Sequence, residues 1–181
     1  MDYSKLSIGT KPPYDVNVVI EVPMRADPIK YEIDKASNAL LVDRFMHTAM
    51  AYPCNYGFVP HTLSDDGDPI DILLHCAFPL IPNCVVNARP IGVLLMEDES
   101  GIDEKILAVP NRHLTDEFDK ITSISDVPIS TLSRIAHFFE HYKDLEKEKW
   151  VRVIGWRNES VARQIIRESI SRESGSAVAA E

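Results

Sequence analysis

Short apolar runs separated by turn residues occupy most of the first 110 positions. The runs are rich in Val, Ile and Leu and are broken by Pro, Asn and Asp, a pattern typical of β-strands joined by turns. The turn-like stretch from Asp34 to Asn38 separates two of these runs, as in a hairpin. The predicted strands are Val16–Val22, Ile29–Ile33, Ala39–Phe45, Ile70–Leu74, Val85–Leu95 and Lys105–Val109.

The period of the pattern changes after residue 110. Apolar residues recur at spacings of three and four from Ile129 to Leu145, which predicts a helix of about five turns. A short strand from Trp150 to Gly155 follows, and Asn158 is placed to cap a second helix. The apolar face of this helix consists of Val161, Ala162, Ile165, Ile166 and Ile170.

Together these elements predict an α+β fold. We expect a small closed, OB-like β-barrel as the body and two flanking helices near the carboxyl end. The length of 181 residues and the content of 45% apolar and 26% charged residues are ordinary for one globular domain. The prediction is a single domain over residues 1–175 and a frayed tail over residues 176–181.

Nothing in the sequence favours secretion or a membrane. No apolar run approaches the roughly 18 residues that a membrane helix needs, and the first 20 residues lack a basic start followed by an apolar stretch. Cys54, Cys76 and Cys84 are odd in number and have no CxxC spacing, which argues against a disulfide framework or a thiolate zinc site. We therefore expect a cytoplasmic protein with reduced thiols.

The acidic charge of the chain is concentrated in one region. Nineteen Lys and Arg against 28 Asp and Glu give a net charge of −9, which argues against nucleic acid as a partner. Residues 64–104 contain nine of the acids and one basic residue, Arg89, so this segment carries −8 of the total. The rest of the chain is almost neutral.

The segment from Asp66 to Asp71 is the densest part of that region. Its three carboxylates, which include Asp68, repel one another unless cations are present. Asp66 and Asp68 point the same way in an extended backbone, and Pro69 would turn Asp71 back toward them. Hard oxygen ligands at this density suit magnesium or manganese, and the second acidic stretch at residues 97–103 would complete the site.

Other interpretations of the acidic segment are a solvated turn, an EF-hand and an aspartyl phosphatase. The EF-hand fails on spacing, because Ile70 and Ala77 stand where oxygen ligands are required. A phosphatase with an aspartyl nucleophile would have its apolar strand before the first Asp, whereas here the strand follows. A solvated acidic turn stays open on these residues alone.

Six motifs in order resemble the soluble family I inorganic pyrophosphatases of the bacterial type. The resemblance covers about Val16 to Gly155, and Phe58 is a departure, since many bacterial relatives have Tyr there. The motifs are IEVP from Ile20, KYEID from Lys30, VDRF from Val42, YPCNYGF from Tyr52, DGDPIDI from Asp66 and IAHFFEHYKDLE from Ile135.

The resemblance implies magnesium-dependent hydrolysis of pyrophosphate to two phosphates by direct attack of a metal-activated water. Asp68 would be the catalytic base, and manganese or zinc would be alternatives to magnesium. Asp66, Asp71 and Asp103 would hold one magnesium, Asp98 would join Asp103 around a metal carried by the substrate, and Glu32 would place another. The implied phosphate-binding residues are Lys30, Arg44, Tyr56, Lys105, Tyr142 and Lys143, and the implied supporting residues are Glu21, Tyr52 and Glu99.

The resemblance further implies a homohexamer with His137 and His141 near subunit contacts. The same two residues fit an H-x-x-E-H zinc-protease pattern, but the pattern is short and has no evident third ligand. Two further hypotheses stay open: a magnesium phosphohydrolase acting on organic phosphates or nucleotides, and a non-catalytic small-barrel module that binds nucleic acid or protein.

Overall fold

The chain folds into a β-rich body with one long helix on each side. The structure, a computed structural model, describes the backbone of residues 2–34 and 36–179 and side chains up to residue 175. In the described residues no helix is long and apolar enough to cross a membrane. The strands and helices are β1 Val16–Val22, β2 Ile29–Asp34, β3 Ala39–Phe45, β4 Asn55–Phe58, β5 Asp71–Leu74, β6 Val85–Asp98, β7 Gly101–Pro110, α1 Ile129–His141, β8 Val151–Asn158 and α2 Glu159–Ala179.

Six strands form the main sheet, in the order β1-β4-β5-β7-β6-β8. Strand β6 also pairs with β1, through a register that aligns Val16 with Ala88, so the pairing returns to the first strand. All of these pairs are antiparallel except β5 with β7. Strands β2 and β3 form a separate two-stranded ribbon. The predicted α+β class is therefore confirmed.

Alternating side chains of the central strands enter two different cores. On β5, Ile72 and Leu74 pack with α2, whereas Leu73 packs with α1. On β7, Ile106 likewise packs with α2, and Leu107 packs with α1. Because both faces of these strands are buried, they are continuous apolar runs rather than alternating ones.

Both predicted helices form. Ile135, Phe138 and Phe139 are the buried residues of α1, and the predicted apolar face of α2 packs onto the core. Asn158 caps α2 as predicted, since its Oδ1 accepts a hydrogen bond of 3.2 Å from the backbone N–H of Val161. Helix α2 extends to Ala179, while the side chains of the predicted frayed tail lie outside the described residues.

The largest differences from the prediction concern β4, the end of α1 and the hairpin of β6 and β7. Strand β4 was not predicted, because its sequence Asn-Tyr-Gly-Phe has no run of β-branched residues. Helix α1 ends at His141 rather than Leu145, which is exposed. Strands β6 and β7 extend through the acidic stretch to a tight turn, with Asp98 opposite Gly101, because pairing with neighbouring strands outweighs the low strand propensity of Asp and Glu.

Candidate active site

Charged residues continue the face of the sheet that α1 covers. On β5, Asp71 has the same parity as Leu73, and on β7, Asp103 and Lys105 have the same parity as Leu107. Residues of equal parity point to one face of a strand. Beyond the end of α1 this face therefore changes from apolar to charged side chains, and a cleft opens there.

The first side of the cleft is the sheet wall, formed by Asp66, Asp68, Asp71, Asp98, Asp103 and Lys105. The parallel register of β5 and β7 places Asp71 beside Lys105. The buried Lys105 ammonium contacts the Asp71 carboxylate and donates to Asp103 Oδ1 at 2.7 Å. Burial alone would lower the pKa of Lys105, but these two carboxylates outweigh it and raise that pKa well above its ordinary value.

The acidic loop before β5 supplies the exposed part of the sheet wall. Gly67 has a φ of 91°, in the region that favours glycine, which allows the tight turn between Asp66 and Asp68. The backbone N–H of Asp68 donates to Asp66 Oδ1 at 3.0 Å, and the carbonyl of Asp68 accepts from Ser64 N–H at 2.7 Å. These bonds fix the backbone of the loop, whose Asp66 and Asp68 line the cleft together with Asp71.

The end of α1 brings a cation to the tip of the β6–β7 hairpin. Tyr142 follows the last helical residue, and its backbone N–H donates to the Phe138 carbonyl at 2.9 Å. The next residue, Lys143, is buried and donates from Nζ to Asp98 Oδ2 at 2.8 Å. Burial opposes the charge on Asp98, yet this ammonium lowers the pKa of the carboxyl group.

The opposite side is the ribbon wall, formed by Lys30, Glu32 and Arg44. Lys30 and Arg44 are cross-strand partners on β2 and β3, so their cations lie side by side. Lys30 Nζ lies 3.4 Å from Glu32 Oε2 and 3.3 Å from Asp43 Oδ2. The Lys30 side chain retains 25% of its exposure, compared with 7% for Lys105, so the ribbon wall is the more hydrated side.

Glu21 on β1 lies below the ribbon wall, almost fully buried. Its Oε1 accepts a hydrogen bond of 2.9 Å from the backbone N–H of Ile33. Burial raises the pKa of Glu21 to about 8, against the lowering effect of that hydrogen bond and with a further rise from the nearby Asp71 charge. The carboxyl group is therefore protonated at neutral pH.

Three tyrosines form the floor of the cleft. The rings of Tyr52 and Tyr56 lie 5.3 Å apart between centroids, Tyr52 packs on Phe138 at 4.8 Å, and Phe138 stacks with Tyr142 at 5.3 Å. Burial raises the pKa of all three phenols. They therefore stay neutral at physiological pH and keep their O–H groups as hydrogen-bond donors.

The structure brings all the predicted site residues together around one cleft of about 240 Å³. Sequence reasoning did not nominate Ser100 or Lys149, which also line it; Lys149 Nζ lies 3.7 Å from Glu99 Oε1. No local motif marks Lys149, since it precedes β8 in a segment of mixed charge. The predicted residues in the lining are Glu21, Lys30, Glu32, Arg44, Tyr52, Tyr56, Asp66, Asp68, Asp71, Asp98, Glu99, Asp103, Lys105, Tyr142 and Lys143.

Lysines, rather than other acids, are the nearest partners of the wall carboxylates. Among the described residues no group of three or more His, Cys, Asp or Glu side chains is arranged to hold a metal ion. Lys105 lies between Asp71 and Asp103, and Lys143 contacts Asp98, so these ammonium groups provide the countercharge. The rings of His137 and His141 pack against each other on α1, with their centroids 4.6 Å apart.

A comparison with known sequences identifies the family. The family model for inorganic pyrophosphatase matches residues 18–174. The chain is 61% identical over 175 residues to an inorganic pyrophosphatase of Brucella melitensis, covering 97% of this chain and 99% of that protein. It is 58% identical over 172 residues to the enzyme of Agrobacterium fabrum, covering 95% and 97%.

Comparison with solved structures agrees with this result. The crystal structure of inorganic pyrophosphatase from Thermus thermophilus superposes with a TM-score of 0.91 at 43% identity, covering 96% of this chain and 99% of that one. Sequence and fold therefore agree over nearly the whole length of the chain. The chain belongs to the inorganic pyrophosphatase family, among the soluble family I enzymes of the bacterial type.

Proposed function

We propose that the cleft between the sheet wall and the ribbon wall hydrolyses inorganic pyrophosphate with the help of bound magnesium. The observation that carries the proposal is the convergence of carboxylates, ammonium groups, a guanidinium and tyrosine hydroxyls on one small cleft. Pockets for organic ligands are typically about 300–1,000 Å³ and mostly apolar. This cleft is smaller and lined mainly by charged groups, which favours a compact inorganic anion over a nucleotide.

The donor chemistry of the cleft fits a hard divalent cation. Asp66, Asp71 and Asp103 would hold one magnesium, with Asp98 and Glu32 available to further ions. Because Lys105 contacts two of these carboxylates, a bound cation would share them with its ammonium group. Bound divalent cations supply charge neutralisation and lower the pKa of water.

The side chains of the cleft divide the remaining work. Asp68 accepts the proton of the attacking water, for which its place at the rim of the acidic loop gives it access. Lys30, Arg44, Lys105 and Lys143 bind phosphate oxygens and stabilise the charge that develops on them. The neutral hydroxyls of Tyr56 and Tyr142 donate to the same oxygens, with Tyr52 supporting their ring stack.

Glu21 and Glu99 support these groups from outside the acidic loop. Glu21 accepts from the backbone of β2 and so connects the ribbon wall to β1. Glu99 lies 3.5 Å from Lys143 Nζ and 3.7 Å from Lys149 Nζ, where it orients both cations.

We also propose a closed OB-like barrel as the body and a cytoplasmic homohexamer as the assembly. The return of the pairing from β6 to β1 supports the closed barrel. Free Cys54, Cys76 and Cys84 are compatible with a reducing compartment. Large exposed apolar side chains support subunit contacts, and His137 and His141 would lie near them; these side chains are Leu41, Val42, Phe45, Phe78, Ile81 and Ile129.

The test is release of free phosphate from pyrophosphate with magnesium, without it, and with ATP in place of pyrophosphate. We expect rapid release from pyrophosphate only with magnesium and at least a hundredfold slower release from ATP. Faster release from ATP would favour the organic-phosphate hypothesis. Sedimentation at pH 8 tests the hexamer separately.

A further inference from the structure

Arg44 of the ribbon wall has a buried acidic neighbour outside the predicted site. Glu146 lies in the turn that follows α1, its side chain is only 13% exposed, and its Oε1 lies 3.7 Å from Arg44 Nε. Both atoms are buried, and neither makes a hydrogen bond of standard geometry within the described residues. At the Nε end of the guanidinium, the Glu146 carboxylate is therefore the main countercharge of Arg44, and Arg44 is the main countercharge of Glu146.

This ion pair also connects two structural units. In the part of the chain that the structure describes, it is the ion pair that joins the ribbon to another element, since Lys30 pairs within the ribbon. The turn of Glu146 also contains Tyr142 and Lys143, and the N–H of Glu146 donates to the Lys143 carbonyl at 2.8 Å. The same turn thus places Lys143 in the cleft and Glu146 against Arg44 of the ribbon wall.

We propose that Glu146 is a positioning residue for Arg44, an inference that rests on the proposed function of Arg44 in phosphate binding. Glu146 is not among the residues that line the cleft, whereas Arg44 is. By attracting Nε, it directs the Nη groups toward the cleft, where a planar guanidinium can bind two phosphate oxygens. Asp43 lies 3.6 Å from Nη1 and competes for that end of the guanidinium.

Positioning and simple electrostatics predict opposite effects of removing the Glu146 charge. A negative charge near an anion site weakens anion binding, so its loss by field effect alone would lower KM for pyrophosphate. If Glu146 orients Arg44, its loss allows the guanidinium to move toward Asp43 and raises KM. The direction of the change therefore separates the two explanations.

The experiment compares Glu146→Gln, Arg44→Ala and the double variant in steady-state hydrolysis of pyrophosphate at saturating magnesium. We expect Glu146→Gln to raise KM about threefold to tenfold with kcat within about twofold of wild type. In the Arg44→Ala background the same change should have no further effect on KM, because its target is gone. Glu148→Gln, an exposed change in the same turn, is the matched control and should leave both constants unchanged.

Several results would overturn the inference. An unchanged or lowered KM in Glu146→Gln, or an equal rise with and without Arg44, would each exclude positioning through that residue. A fall in kcat with normal KM would indicate a different role. If Arg44→Ala itself has normal KM, the proposed function of Arg44 is at fault, whereas loss of hydrolysis in the wild type would reject the proposed function as a whole. Thermal melting of each variant confirms that it is folded.

Discussion

The two walls of the cleft carry similar charges in different surroundings. In the sheet wall, Lys105 is buried between Asp71 and Asp103, and the register of β5 and β7 sets their spacing. In the ribbon wall, the ion pairs of Lys30 are partly hydrated and belong to a two-stranded unit outside the main sheet. A charge in the sheet wall is therefore positioned before substrate arrives, whereas one in the ribbon wall depends on weaker contacts.

The largest expected effect concerns Asp68 in the acidic loop of the sheet wall. Asp68→Asn removes the proton acceptor but preserves the size of the side chain, so we expect kcat to fall about 10²–10⁴-fold. Magnesium affinity, measured by calorimetry, should change little because Asp66 and Asp71 remain. Turnover is measured at saturating magnesium and pH 7.

Asp65→Asn is the control for this prediction. Asp65 is exposed in the same loop and lies 3.3 Å from Arg172 Nε. Its substitution changes the charge of the loop by the same amount but should leave turnover near that of the wild type. Wild-type turnover in Asp68→Asn would show that the water loses its proton to another group.

The second prediction concerns Glu21, below the ribbon wall. Its folded pKa of about 8 lies above the unfolded value of 4.5, so the folded state binds more protons between these pH values and loses stability as pH rises through them. Glu21→Gln removes this loss. In EDTA, the unfolding free energy of the variant should exceed that of the wild type by an amount that grows from near zero below pH 4.5 to about 4 kcal/mol at pH 8.

Urea unfolding at several pH values measures this difference. Glu168→Gln, an exposed change on α2, is the control and should follow the wild type at each pH. A constant difference between Glu21→Gln and the wild type would mean that Glu21 does not titrate in this window. Activity is a separate readout, because the substitution preserves the acceptor for the Ile33 N–H.

The charged residues of the cleft could be predicted from the family resemblance, but their environments could not. The resemblance implied Asp71, Asp103 and Lys105, and parity along β5 and β7 explains why they share one face. The partnership of Arg44 with Glu146 arises between residues about 100 positions apart. No local pattern encodes such a contact, because it depends on how the ribbon packs against the turn after α1.

The strand predictions were wrong where acidic residues or a glycine stand in place of apolar residues. The prediction ended β6 too early because acidic residues have a low strand propensity, although β6 continues to pair in register with β7 as far as Asp98. Strand β4 was hidden by Gly57, whose lack of a side chain is required because a Cβ atom there would lie 1.9 Å from the Val19 carbonyl oxygen. In both cases a functional or close-packed residue stands where strand propensity is low.

The third prediction tests the sheet wall through stability. Lys105→Met preserves the length of the side chain and removes the charge, which leaves Asp71 and Asp103 without their shared ammonium partner. Removing one partner of a buried ion pair costs about 3–5 kcal/mol, and the partial exposure of the carboxylates reduces our expectation to about 2–3 kcal/mol. Urea unfolding in EDTA measures the loss, and added magnesium should restore part of it by binding the carboxylates. An unfolding free energy equal to that of the wild type would contradict the burial of Lys105 between Asp71 and Asp103.

The smallest expected effect is the same substitution in the ribbon wall. Lys30→Met removes ion pairs of 3.3–3.4 Å to Asp43 and Glu32, which are hydrated and screened by salt. We therefore expect a loss of about 0–1 kcal/mol in the unfolding free energy, which decreases further at 1 M salt. KM for pyrophosphate should nevertheless rise, because the phosphate loses a cation in both variants. If Lys30→Met destabilises the protein as much as Lys105→Met, burial does not distinguish the walls, and the ribbon must be held in place by its charges.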